Sequence, residues 1–107
     1  MSENFIKLEV YVPATHAESL KTALFTAGAG KIGNYDYCCW QCSGTGQFRP
    51  LEGSRAFIGE CGKVEKVEEI KIELLCPKKR INKIIAALKK AHPYETPAFQ
   101  YWTVKIN

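Results

Sequence analysis

One octapeptide occurs twice. Ile6-Lys7-Leu8-Glu9-Val10-Tyr11-Val12-Pro13 matches Ile70-Lys71-Ile72-Glu73-Leu74-Leu75-Cys76-Pro77 at an offset of 64 residues. Each copy alternates apolar and polar residues, the period of a half-buried strand, and each ends on a proline. The same offset pairs Leu20 with Ile84, Leu24 with Leu88 and Ala27 with Ala91. Those residues recur at helical spacing, so strand, proline turn and helix core all superpose. A chain with this duplication is two β-α-β halves.

The natural closed form of two such halves is the ferredoxin-like split β-α-β, an α+β fold with both helices on one face of an antiparallel sheet. The 107 residues suffice for one domain with an ordinary core. The first half starts with a strand from Phe5 to Val12. Thr15-His16-Ala17-Glu18 has capping-box spacing and opens a helix that Gly28 and Gly30 close. Lys31 to Asp36 is a connector. Tyr37 to Cys42 reads as a second strand, Ser43-Gly44-Thr45-Gly46 as a turn, and Gln47-Phe48-Arg49 as the returning arm of a hairpin. Pro50 to Gly62 is a long loop, a length that is usually functional or oligomeric. The second half has a strand from Val64 to Cys76, a helix with the stripe Ile81, Ile84, Ile85 and Leu88, and a last strand from Phe99 to about Ile106. The helix-free sheet face carries Tyr11, Leu75 and aromatics of the last strand, and a face of that kind predicts a partner, often another copy.

His92-Pro93-Tyr94-Glu95-Thr96-Pro97-Ala98-Phe99 joins the second helix to the last strand. Its two prolines exclude a helix and favour an extended path. Two readings stand. In one, Pro93 stops the helix, His92 caps its end and Tyr94 fills an apolar niche. In the other, His92, Tyr94 and Glu95 point into a shared cleft.

Resemblance to a known family adds to this reading. Gly30-Lys31-Ile32-Gly33-Asn34-Tyr35-Asp36, Gly44-Thr45-Gly46-x-Phe48-Arg49-Pro50 with Gly53, Ile58-Gly59 and His92-Pro93-Tyr94-Glu95-x-Pro97-Ala98 span nearly the whole chain and together are specific. They resemble the YqfO family, a PII/CutA-like domain found in stand-alone form and inserted in the larger NGG-interacting-factor proteins. The resemblance implies a fold related to PII and CutA, which form trimers. The larger relatives carry a dimetal centre on flanking domains, so their hydrolase or cyclohydrolase labels are not carried over. The chain departs from the family at Tyr37-Cys38-Cys39-Trp40, where relatives often have His, Cys and Ser.

Composition narrows the function classes. A 46% hydrophobic and 24% charged chain is an ordinary globular one. No basic leader with an apolar core opens it, and no apolar run approaches a membrane span, which predicts a cytoplasmic protein with no membrane partner. The formal charge of +4 is spread among interspersed acids. The basic cluster of Lys78, Lys79 and Arg80 with Lys83, Lys89 and Lys90 has the spacing of a solvated helix face. Aromatics are not interleaved with basic residues as on an RNA-binding sheet, so no nucleic-acid partner is expected. Five cysteines, an odd number, argue against a complete disulfide framework. Cys39 and Cys42 have C-x-x-C spacing, but on a strand they face opposite sides, and Cys38 and Cys42 share a face about 13 Å apart. Gly44-x-Gly46 lacks the Lys-Ser/Thr of a phosphate loop.

Three functions follow. The first is a non-enzymatic, oligomeric regulatory or small-ligand-binding module, a trimer or dimer with a small-molecule effector or a protein partner. Its inter-subunit clefts would be lined by the Pro50 to Gly62 loop and the His92 to Pro97 joint, with Tyr35, Arg49, His92, Tyr94 and Glu95 as ligand-binding candidates. The second is a CutA-related metal-binding protein holding a divalent or copper-like ion on His92, Glu95 and Cys38. The third is an enzyme on an unidentified small molecule, with His92 and Glu95 as an acid–base couple; no nucleophile–base pair can be placed from the sequence.

Overall fold

A computed structural model describes residues 5–106. The initial residues 1–4, on which the leader expectation partly rests, lie outside the described residues. The order of elements is β1 (Phe5–Pro13), α1 (Ala17–Thr26), β2 (Trp40–Phe48), β3 (Glu65–Pro77), α2 (Ile81–Ala91) and β4 (Ala98–Val104). The strands form one sheet in the order β2-β3-β1-β4. All three pairings are antiparallel, which is the ferredoxin-like split β-α-β.

Register follows from the duplication. β1 pairs with β3 so that Glu9 lies opposite Glu73, the residues that the offset also equates. A pseudo-twofold axis therefore passes between them, and each half lends its first strand to the centre of the other. The alternating pattern of β1 sends Leu8, Val10 and Val12 inward, and that of β3 sends Ile72, Leu74 and Cys76 the same way. The helices lay Leu20, Leu24, Ile84 and Leu88 on this face, all fully buried. Each such aliphatic side chain stabilises the fold by about 1.5–3 kcal/mol.

Pro13 and Pro77 each lead into one turn of tighter 3-10 helix, Ala14–His16 and Lys78–Arg80, before the α-helix begins. This overturns the expected capping box. Thr15 sits inside that turn rather than ahead of it; its hydroxyl meets His16 Nδ1 at 2.9 Å, and α1 has no side-chain cap. At the other end the glycine closure holds. Gly28 has φ +113°; its N–H bonds to the Phe25 carbonyl, and the Ala29 N–H bonds to the Leu24 carbonyl. These two bonds make a Schellman motif around a left-handed residue.

The turn expected at Ser43–Gly46 is absent. β2 runs straight through it, pairing with β3 from Trp40 opposite Glu73 to Phe48 opposite Glu65. The expected arms, Tyr37–Cys42 and Gln47–Arg49, therefore do not pair with each other; the hairpin is β2 with β3, and its reversal is the whole segment from Arg49 to Val64. Tyr37, Cys38 and Cys39 belong to the connector rather than to the strand. Gly46 is explained by a neighbour: a Cβ there would overlap the Glu69 carboxylate, and a glycine within a strand often marks such a close approach.

The helix-free sheet face is not the apolar surface that Tyr11, Leu75 and the last strand suggested. Its centre is ionic. Lys7 bonds Glu73 at 2.7 Å, and Lys71 lies 3.6 Å from Glu9 and 3.5 Å from Glu73. Trp40 and Trp102, both exposed, stand in the outer strands beside this lattice, opposite Glu73 and Lys7. Among the described residues no helix is long and apolar enough to cross a membrane.

Candidate functional site

The stiff joint after α2 places its side chains by necessity. α2 ends at Ala91, and His92 turns extended at φ −75° and ψ 133°, the conformation a following proline favours. The imidazole turns in toward β1, and His92 is 5% exposed. His92 Nδ1 accepts from the Tyr94 N–H at 3.1 Å, so the proton sits on Nε2, which donates to the Tyr11 carbonyl at 2.7 Å. Burial lowers its pKa from the ordinary 6.5, outweighing the Tyr11 carbonyl and nearby Glu69, which raise it. Both ring nitrogens are thus occupied in tying the joint to β1.

Tyr94 is thereby aimed at β3. Its hydroxyl donates to Glu69 Oε2 at 2.9 Å. Burial, then the hydrogen bond and charge of Glu69, push the phenol pKa well above its usual value, so it remains a donor. Glu69 itself is 9% exposed. The Tyr94 hydroxyl is its described side-chain partner, and since no buried side-chain oxygen among the described residues lacks a partner, Oε1 is left to solvent.

Around this pair lies a cleft of about 420 Å³, walled by Phe48, Pro50, Leu51, Phe57, Tyr94 and Ala98, with Glu69 reaching into it. The Tyr94 ring stands 5.6 Å from Phe48 and 6.4 Å from Phe57, centre to centre. Glu95 closes the rim, its carboxylate accepting the Arg55 N–H at 2.9 Å. Arg49 lines the same cleft. The Arg49–Val64 reversal and the joint therefore meet within one subunit, whereas the cleft was expected between subunits.

Of the ligand candidates, the cleft contains Arg49, Tyr94 and Glu95, with His92 supporting Tyr94 from behind. Tyr35 is elsewhere, 75% exposed in a tight turn where Ile32 and Tyr35 exchange backbone hydrogen bonds of 2.8 and 2.9 Å. His92, Glu95 and Cys38 are not assembled into one site: Cys38 lines a separate hollow with Trp40, Leu75 and Ile106. Among the described residues no three His, Cys, Asp or Glu side chains stand close enough together to hold a metal ion. Sequence reasoning missed Glu69, Phe48 and Phe57. Gly46 was the available signal, a strand glycine whose missing side chain makes room for an acid on the neighbouring strand.

No known protein-family model matches the chain. It is 48% identical, over 94% of its length, to a Halalkalibacterium halodurans protein named GTP cyclohydrolase 1 type 2 homolog, of which it covers 27%. A solved Bacillus cereus protein related to NIF3 superposes with a TM-score of 0.81 at 42% identity, over 97% of this chain and 26% of that one. The chain thus spans about a quarter of the length of these relatives. CutA1 of Ehrlichia chaffeensis shares the fold at a TM-score of 0.71 and 16% identity, over 100% of this chain and 87% of that one. Bacillus subtilis GlnK shares it at 0.57 and 17%, over 97% of this chain and 84% of that one. By fold the chain is a PII/CutA-like, ferredoxin-like protein, and by sequence it is similar, over nearly its whole length, to one segment of proteins named GTP cyclohydrolase 1 type 2 homolog and of a protein related to NIF3.

Proposed function

We propose that this chain is a single-domain, self-associating regulatory module of the cytoplasm that binds a small ligand without transforming it. The observation that carries the reading is the cleft between the Arg49–Val64 reversal and the His92–Pro97 joint. It combines aromatic walls with a few convergent polar groups, the usual make-up of a small-molecule site. Arg49, Tyr94 and Glu95 contact the ligand, with Glu69 at the base. His92 holds Tyr94 in place and has no ring nitrogen left for proton transfer.

Self-association is supported by β2. It is an edge strand of nine residues, WQCSGTGQF, without a charge or a proline. Natural edge strands normally carry such residues to prevent pairing, and a bare edge is a template for another strand. A trimer or dimer would cover it.

Native mass spectrometry of freshly purified, reduced protein tests both parts together. A trimer or dimer carrying a small organic mass is expected. A bare monomer overturns the reading and leaves the sheet as a docking surface for a different protein.

A further inference from the structure

We infer that the Glu69–Tyr94 cleft takes an organic cation, a protonated amine or quaternary ammonium carried on an apolar or aromatic body. This rests on the cleft being a small-ligand site and adds the charge and class of the ligand.

Three observations converge. The first is an acid without a counter-charge. Glu69 is 9% exposed, and its described polar partner is the Tyr94 hydroxyl. Lys71, two residues along β3 on the same face, is engaged with Glu9 and Glu73 instead. No buried side-chain oxygen among the described residues lacks a partner, so Glu69 Oε1 keeps contact with the solvent of the cleft, where a cation that replaces that water restores both charge and donors. The second is the wall. The Tyr94 ring stands 5.6 Å from that of Phe48 and 6.4 Å from that of Phe57, and ring faces attract cations through their quadrupole. The third is Gly46. A Cβ there would meet the end of the Glu69 side chain and make it shift, so the glycine leaves the carboxylate room where the cleft adjoins the hollow that Gly46, Glu69 and Lys71 line.

Competing chemistries fit less well. An anion drawn by Arg49 would meet the buried Glu69 carboxylate. A neutral apolar molecule would displace water from Glu69 Oε1 and give it no donor in return. An ammonium group supplies charge and donors at once.

Three probes with one ring and different charge test the inference: phenethylammonium, 2-phenylethanol and phenylacetate, each titrated into the whole isotope-labelled protein and followed by amide chemical shifts. Shifts at Phe48, Phe57 and Tyr94 are expected, with phenethylammonium binding about tenfold or more tightly than the alcohol and phenylacetate weakest. Glu69→Gln, matched in shape, should bring the cation down to the affinity of the alcohol. Tyr94→Phe, which leaves the carboxylate in place, should keep the order of preference and so covers the case in which Glu69→Gln fails to fold. Equal binding of all three, or a preference for phenylacetate, overturns the cation and leaves the small-ligand reading standing. No shift in the cleft with any probe overturns both.

Discussion

Gly28 and His92 occupy equivalent positions at the ends of the two helices, and almost nothing else about them agrees. Gly28 has φ +113° and closes α1 with a Schellman motif, letting the chain wander through an eleven-residue connector. His92 has φ −75°, stops α2 on an extended step, and leaves only five residues before β4. Up to those positions the halves are near copies, with the same buried stripe and the same proline-led turn. The symmetrical part builds the core. The cleft lies where symmetry is lost, at the joint that only the second half has.

The strongest test of the symmetrical part is to empty it at equivalent points. Leu20→Ala and Ile84→Ala each remove a fully buried side chain and should each cost about 2–5 kcal/mol in urea unfolding. Costs that differ by more than the spread of such substitutions would show that the helices do not share the core evenly.

The next pair separates the two helix ends. Gly28→Ala puts a Cβ on a left-handed residue and within 2.5 Å of Arg80 Cδ, and should cost about 1–3 kcal/mol. His92→Ala leaves the Tyr11 carbonyl and the Tyr94 N–H without their partner, at about the same cost. Only the second variant should also release Tyr94 and weaken any ligand held in the cleft; equal ligand binding by both variants would detach the joint from the site.

Acid distinguishes them further. Burial lowers the His92 pKa from 6.5, so below that pH the unfolded chain takes up the proton first. The stability from neutral His92 is full above pH 6.5 and is lost as pH falls through the lower folded value. The gap between wild type and His92→Ala should therefore narrow in acid, whereas the gap for Gly28→Ala should not change. Urea midpoints measured from pH 7.5 downward check this.

The smallest effect belongs to Cys76→Val. Val12 is the equivalent residue, and both are fully buried. A swap toward the residue that the twin site already holds should stay within about 1 kcal/mol. Burial also pushes the Cys76 thiol up to about 12. Iodoacetamide at pH 8 should therefore leave Cys76 unmodified in the folded protein while exposed Cys39, Cys42 and Cys61 react, which peptide mass mapping would show.

Much of this was legible in the residues themselves. Ile6 to Pro13 and Ile70 to Pro77 announce two equivalent strands because alternation and a closing proline are local properties. The stripes Leu20–Leu24 and Ile84–Leu88 announce the helices for the same reason. Ser43-Gly44-Thr45-Gly46 was misread as a turn, because a glycine that frees the backbone and a glycine that clears space for a neighbour look alike in one dimension. The capping box at Thr15 failed because the proline turn had already begun the helix one step earlier.

Sequence alone determined the two halves and the stiffness of the His92–Pro97 joint, since these rest on periodicity and on prolines acting within a few residues. Only the tertiary structure decided that both nitrogens of His92 are spent on Tyr11 and Tyr94, and that Tyr35 and Cys38 stand apart from the cleft. It also decided that Glu69, which no motif marks, lies at the base of that cleft. Those facts depend on the register of β3 against β2 and on a contact across 25 residues between Glu69 and Tyr94, and long-range register is set by how the whole sheet packs rather than by any residue's neighbours in the chain.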